Sequence, residues 1–117
     1  MIVLDRSTHG SMIEHARDGA PREVCGVLGG TTDARGGGSR DRSHVETIHR
    51  ARNVASAPRR NYAIDPAEQL AIMDTIDAAN REIVGFYHSH PAGPAEPSAT
   101  DAARASWPGY SYVIVSL

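Results

Sequence analysis

Lysine is missing altogether from these 117 residues, and all 12 cationic side chains are arginine. A coding bias toward arginine is the simplest account. A salt-adapted surface would also lose lysine, but it would add a large acidic excess, and the formal net charge here is only -2. A balance that close to neutral argues against nucleic acid or an anionic membrane as the partner. A single cysteine, Cys25, excludes an internal disulfide, so stability has to come from packing. Aromatic residues make up 5% of the chain, which leaves the core to aliphatic side chains. No apolar run approaches the roughly 18 residues needed to span a bilayer, and no basic start with a long apolar stretch marks a secretory leader. The expectation is a soluble, cytoplasmic protein with one domain over residues 1–117.

What is present reads as alternating helices and strands. Ser7 to Gly19 has a capping residue, an apolar face of Met12, Ile13 and Ala16, and Gly19 with Pro21 as a stop. Glu23 to Leu28 suits a buried strand closed by Gly29-Gly30. Thr31 to Arg42, with three glycines at its centre, reads as the tip of a long hairpin whose return strand is His44 to His49. Asn61 to Ile64 reads as a short strand. Asp65-Pro66-Ala67-Glu68 starts a helix running to about Ala79, with Asp65 as N-cap, Pro66 at the first helical position and Glu68 completing a capping box. Its spacing predicts burial of Leu70, Met73 and Ile76. A strand from Glu82 to Tyr87 leads into His88-Ser89-His90, and Pro91 to Pro97 is loop. Ser98 opens a short helix through Ala105, Trp107-Pro108-Gly109 is a turn, and Tyr110 to Val115 is the last strand. This order implies an α+β fold, an α/β sandwich around a central sheet.

The chemistry concentrates where a strand ends in two histidines. Residues two apart on a strand share a face, so the imidazoles of His88 and His90 converge on one point. Two imidazoles, one carboxylate and an open position make a catalytic zinc site. Asp101 is the best third ligand: it sits in the first turn of a helix, where an anion is favoured, and the preceding loop is long enough to return it to the histidines. Asp33, Asp41 and Glu96 remain as substitutes. Structural histidines, and a Ser98-x-x-Asp101 capping box with no metal, are the plainer readings of the same residues.

His88-Ser89-His90, seven residues, Ser98, two residues and Asp101 together resemble the motif of the JAMM (MPN+) zinc metalloproteases with its spacing intact. Glu23 in Glu23-Val24-Cys25-Gly26-Val27-Leu28 is similar to the upstream glutamate of that family. Asn61-Tyr62-Ala63-Ile64-Asp65-Pro66 is similar to what precedes its long helix. The resemblance implies a mixed sheet flanked by helices, of the cytidine-deaminase-like type. It implies zinc on His88, His90 and Asp101, Glu23 as general base toward the water and then acid toward the leaving amine, and Ser98 as oxyanion donor. The activity implied is hydrolysis of the bond after the C-terminal glycine of a ubiquitin-like modifier, as in small archaeal members that act on protein conjugates. The related alternative is release of cysteine from a sulfur-carrier protein. A non-catalytic scaffold of the same fold would lack one or more of Glu23, His88, His90 and Asp101, and this chain has all four.

Other features carry less. Cys25 reads as an inert core thiol. His9, His15, His44 and His49 show no site spacing. Seven arginines fall between Arg35 and Arg60, a solvated face that also suits an acidic ubiquitin-like protein or its tail. Family domains continue past the strand at Tyr110 to Leu117, so the sequence implies either further elements or a neighbouring molecule over that part of the sheet.

Overall fold

The β-branched and aliphatic runs pair into one mixed sheet of five strands in the order β1-β3-β2-β4-β5. The structure is a computed structural model and describes residues 2–33, 42–91 and 110–117. Its elements are β1 (Ile2–Val3), α1 (Arg6–Gly19), β2 (Cys25–Thr32), β3 (Ser43–Ala51), α2 (Pro66–Ala78), β4 (Glu82–His90) and β5 (Ser111–Ser116). The α+β class expected from sequence is what forms. β2 and β3 make the expected antiparallel hairpin, from Cys25 opposite Ala51 to Thr32 opposite Ser43. On its other side β2 pairs antiparallel with β4, which places Cys25 opposite His88. β5 runs parallel to β4 and follows it to the end, with Ile114 beside His88 and Ser116 beside His90.

Neighbouring residues on β2 feed opposite faces, so the sheet separates two apolar layers. On one face Met12 and Ala16 of α1 pack with Val24, Leu28, Val45, Val84 and Tyr87. On the other, Ile72 and Ile76 of α2 pack with Cys25, Val27, Ala51 and Phe86. Burying each large aliphatic or aromatic side chain contributes about 1.5–3 kcal/mol.

Several expectations need correction. Leu70 and Met73 are not buried: Leu70 is 59% exposed and Met73 37%, and the buried pair is Ile72 and Ile76, one helical turn apart. Apolar side chains are spread around α2, and the contact with β2 and β4 selects the line. Glu68 leaves the capping box open; its Oε1 accepts from the Arg52 backbone N–H instead, while Asp65 does cap the helix by accepting from Glu68 N–H at 3.1 Å. The N-cap of α1 is Asp5, not Ser7, with its carboxylate accepting from Thr8 N–H at 2.7 Å. Asn61 to Ile64 is no strand; it contributes one isolated bridge, Asn53 to Ile64. Gly29-Gly30 does not end β2. The strand runs through both, and a Cβ on Gly30 would collide with the His44 carbonyl oxygen. The glycines there serve close approach between strands rather than a stop. The helix expected at Ser98 to Ala105 and the turn at Trp107-Pro108-Gly109 lie outside the described residues.

On the α1 face the Tyr87 hydroxyl and His15 Nδ1 lie 2.7 Å apart in a hydrogen bond. Burial, helped by the Arg50 charge and opposed by Asp18, pulls the His15 pKa down to about 4 from 6.5. Between those values the unfolded chain binds a proton that the folded chain refuses. Stability from this group is therefore complete above about pH 6.5 and falls as the pH drops toward 4. We expect His15→Gln to shrink the stability loss of metal-free protein between pH 7 and pH 5 by about 1 kcal/mol, a figure discounted for half-burial. Denaturant midpoints at the two pH values read it, and equal losses in parent and variant would contradict it.

Candidate metal centre

His88 and His90 leave the same face of β4 at its C-terminal end, as their period-two spacing requires. Both are buried, at 3% and 8% exposure, and their Nε2 atoms are 3.2 Å apart. Two nitrogens each about 2.0–2.1 Å from one tetrahedral ion would be separated by about 3.3 Å. The rings are thus posed as two ligands of one ion would be. Glu23, 5% exposed, closes the group: one donor atom from each of Glu23, His88 and His90 lies within 4.8 Å of the others. A carboxylate at that depth costs several kcal/mol in desolvation unless cations or donors compensate it, and a divalent ion does so. The donor set, two imidazoles and a carboxylate, is the chemistry that borderline metals take.

Three contacts fix this geometry. Ser89, fully buried between the histidines, accepts from Val24 N–H through Oγ at 2.8 Å, and its own N–H donates to the Val24 carbonyl at 3.0 Å. The residue after Glu23 is thereby stitched to the residue between the two imidazoles. Tyr62 stacks on His88, with ring centroids 4.4 Å apart and planes inclined by 21°. Asn53 organises the segment that carries Tyr62. Its Nδ2 donates to the carbonyls of Glu23 and Asn61, each at 2.8 Å, and its Oδ1 accepts from Ala55 and Ala63 N–H at 3.0 and 3.1 Å.

Sequence reasoning names Glu23, His88 and His90, and the fold brings these together. Ser89, between the two histidines of the motif, orients backbone beside them through its two bonds to Val24. Asn53 and Tyr62 escape sequence reasoning. An asparagine between a strand end and a Pro-containing loop is a signal for backbone capture, though a local one that says nothing about which carbonyls are caught. Ser98 and Asp101 lie outside the described residues, as do the substitutes Asp41 and Glu96. Asp33 is removed as a substitute. It follows the far end of β2, eight residues from Cys25 and roughly 25 Å along the strand from His88, and its side chain lies near His44 instead. Cys25 shares the histidines' face but is fully buried, its Sγ 3.8 Å from the Ala51 carbonyl. Burial first, then the nearby Glu68 and Glu23 charges, push its thiol up to about 12, so it stays protonated and takes no part as a thiolate. Among the described residues no helix is long and apolar enough to cross a membrane.

The model of prokaryotic homologues of the JAB domain matches residues 5–117. A desampylase of Haloferax volcanii is 49% identical over 119 residues, covering 98% of this chain and 80% of that one. A CysO-cysteine peptidase of Mycobacterium tuberculosis is 34% identical over 116 residues, covering 99% of this chain and 73% of that one. The solution structure of a Desulfitobacterium hafniense protein aligns with a TM-score of 0.85 at 37% identity, over 99% of this chain and 75% of that one.

Proposed function

We propose, from the premise that this chain belongs to the prokaryotic JAB-domain branch of the JAMM/MPN family, that it is a zinc-dependent isopeptidase. Its reaction is hydrolysis of the bond after the C-terminal glycine of a ubiquitin-like modifier, freeing the modifier from the protein it is attached to. The observation that carries this reading is the 3.2 Å approach of His88 and His90 Nε2 with Glu23 beside them.

In this reading His88, His90 and Asp101 hold zinc, and Glu23 stands outside the ligand set. Zinc held there would supply Lewis-acid chemistry, polarising a water and offsetting negative charge on the scissile carbonyl. Glu23 takes the proton from the attacking water on a carboxylate oxygen and returns it to the leaving amine. General acid–base transfer of this kind contributes about 10²–10⁴-fold. Ser98 donates its hydroxyl to the developing oxyanion, a contribution of about 2.7–4 kcal/mol where such donors have been removed in other enzymes. Tyr62 and Asn53 hold the His88 ring and the Glu23 backbone in register, so neither imidazole nor carboxylate has to be ordered at the moment of reaction. We read residues 1–117 as one domain working in the cytoplasm, in keeping with its single cysteine.

The 34% identity to the CysO-cysteine peptidase favours one second reading, release of cysteine from the C-terminus of a sulfur-carrier protein. Both substrates are cleaved after a C-terminal glycine, so the leaving amine separates them.

Purified protein is expected to carry about one zinc per chain. It should cleave a conjugate in which a terminal Gly-Gly is joined to a lysine side chain. A chelator should lower that rate more than tenfold, and added zinc should restore it. Turnover indifferent to chelation would sink the zinc reading. Cleavage confined to a Gly-Gly-cysteine substrate would select the second reading.

A further inference from the structure

Beside the metal centre lies an open cleft of about 330 Å³, lined by Arg22, Ala57, Pro58, Arg59 and Arg60. Three exposed arginines thus line one cleft on a protein whose formal net charge is -2. Among the described residues, Arg50 and Arg81 are matched by Asp18 and Glu46, and none of the three cleft arginines has such a carboxylate. Among the described residues this positive charge has no carboxylate partner, which is what a site for an external anion needs.

The cleft is built onto the catalytic residues. Arg22 immediately precedes Glu23, and Glu23 N–H donates to the Pro58 carbonyl at 2.7 Å. The wall turns tightly, with Arg60 and Asn61 N–H both donating to the Ala57 carbonyl at 3.0 Å. Two residues past Arg60, Tyr62 is already stacked on His88. A group held in the cleft is therefore a few residues, at about 3.3 Å each in extended chain, from a bond presented to the histidines.

We propose that this cleft binds acidic side chains on the segment of the modifier that leads into its C-terminal Gly-Gly. The inference rests on the isopeptidase reading and adds a specificity determinant to it. Arginine forks match carboxylates bidentately, whereas the apolar wall of Ala57 and Pro58 offers no competing acceptor side chain. The protein to which a modifier is attached varies from conjugate to conjugate, and the modifier tail does not. A fixed cationic cleft matches the constant part of the substrate.

The test uses two fluorogenic peptides, each ending in Gly-Gly joined to a lysine side chain, one with Glu-Glu and one with Gln-Gln before the glycines. The parent should prefer the acidic peptide by roughly tenfold in kcat/KM at low salt, as expected for a few partly exposed ion pairs acting together. Arg59→Glu with Arg60→Glu should erase or invert that ratio, and 0.5 M salt should flatten it in the parent. A substitution that only loosened the fold would lower both rates and keep the ratio. Equal rates for the two peptides in the parent, or a preference that survives the double substitution, overturns the inference while the isopeptidase reading stands. Anisotropy of the labelled peptides on the Glu23→Gln variant reads the same preference without turnover. If neither peptide is cleaved, arginine-dependent binding of the acidic one there sustains the cleft and counts against the reaction.

Discussion

Glu23→Gln is expected to lower turnover of a Gly-Gly-linked conjugate by about 10²–10⁴-fold, the usual share of a general base, while zinc stays bound. The substitution keeps the shape of the side chain and removes its basicity. It also decides between two roles that the geometry leaves adjacent, because a Glu23 donor atom lies within 4.8 Å of both imidazole donors. A ligand replaced by a neutral amide would take metal content down with activity. A base replaced in the same way would leave metal content at the parental level. Metal analysis and single-turnover rates on the same preparation separate the outcomes. Parental turnover would remove Glu23 from the chemistry altogether.

Asp101→Ala is expected to do what Glu23→Gln does not, and strip the metal. Changing a residue that merely supports a ligand commonly costs 10–100-fold in metal affinity, so losing a ligand should exceed about a hundredfold. Zinc titration with a competing chelator measures it. Asp33→Ala is the internal control, because Asp33 sits beside His44 at the other end of β2. A variant at Asp101 that binds zinc like the parent would hand the third position to another carboxylate, with Glu96 and Asp41 next to be changed.

Much of this was legible in the residues because it is local. Asp65-Pro66 starts α2 as written, since N-cap and first-turn preferences act within four residues. His88 and His90 share a face because strand periodicity is two. What escaped was set by partners distant in sequence. Leu70, Ile72, Met73 and Ile76 all look fit for burial, and only the sheet decides for Ile72 and Ile76. Gly29-Gly30 carries the composition of a stop, yet β3 passes so close that only glycine fits there. Two-residue β1 is too short to leave any pattern. Asp5 and Ser7 are equally good caps in isolation, and the helix simply begins a little earlier. Asn53 joins Glu23, thirty residues away, to the loop bearing Tyr62, a link that no window along the chain contains.

The paired bonds between Ser89 and Val24 have a wider consequence. They make the spacing between Glu23 and the two imidazoles a property of neighbouring segments of one sheet, independent of any connection between them. Sequence changes between Thr32 and Ser43 then need not disturb the group of Glu23, His88 and His90. Relatives that share this stitch should therefore differ most in what they recognise and least in how they cut.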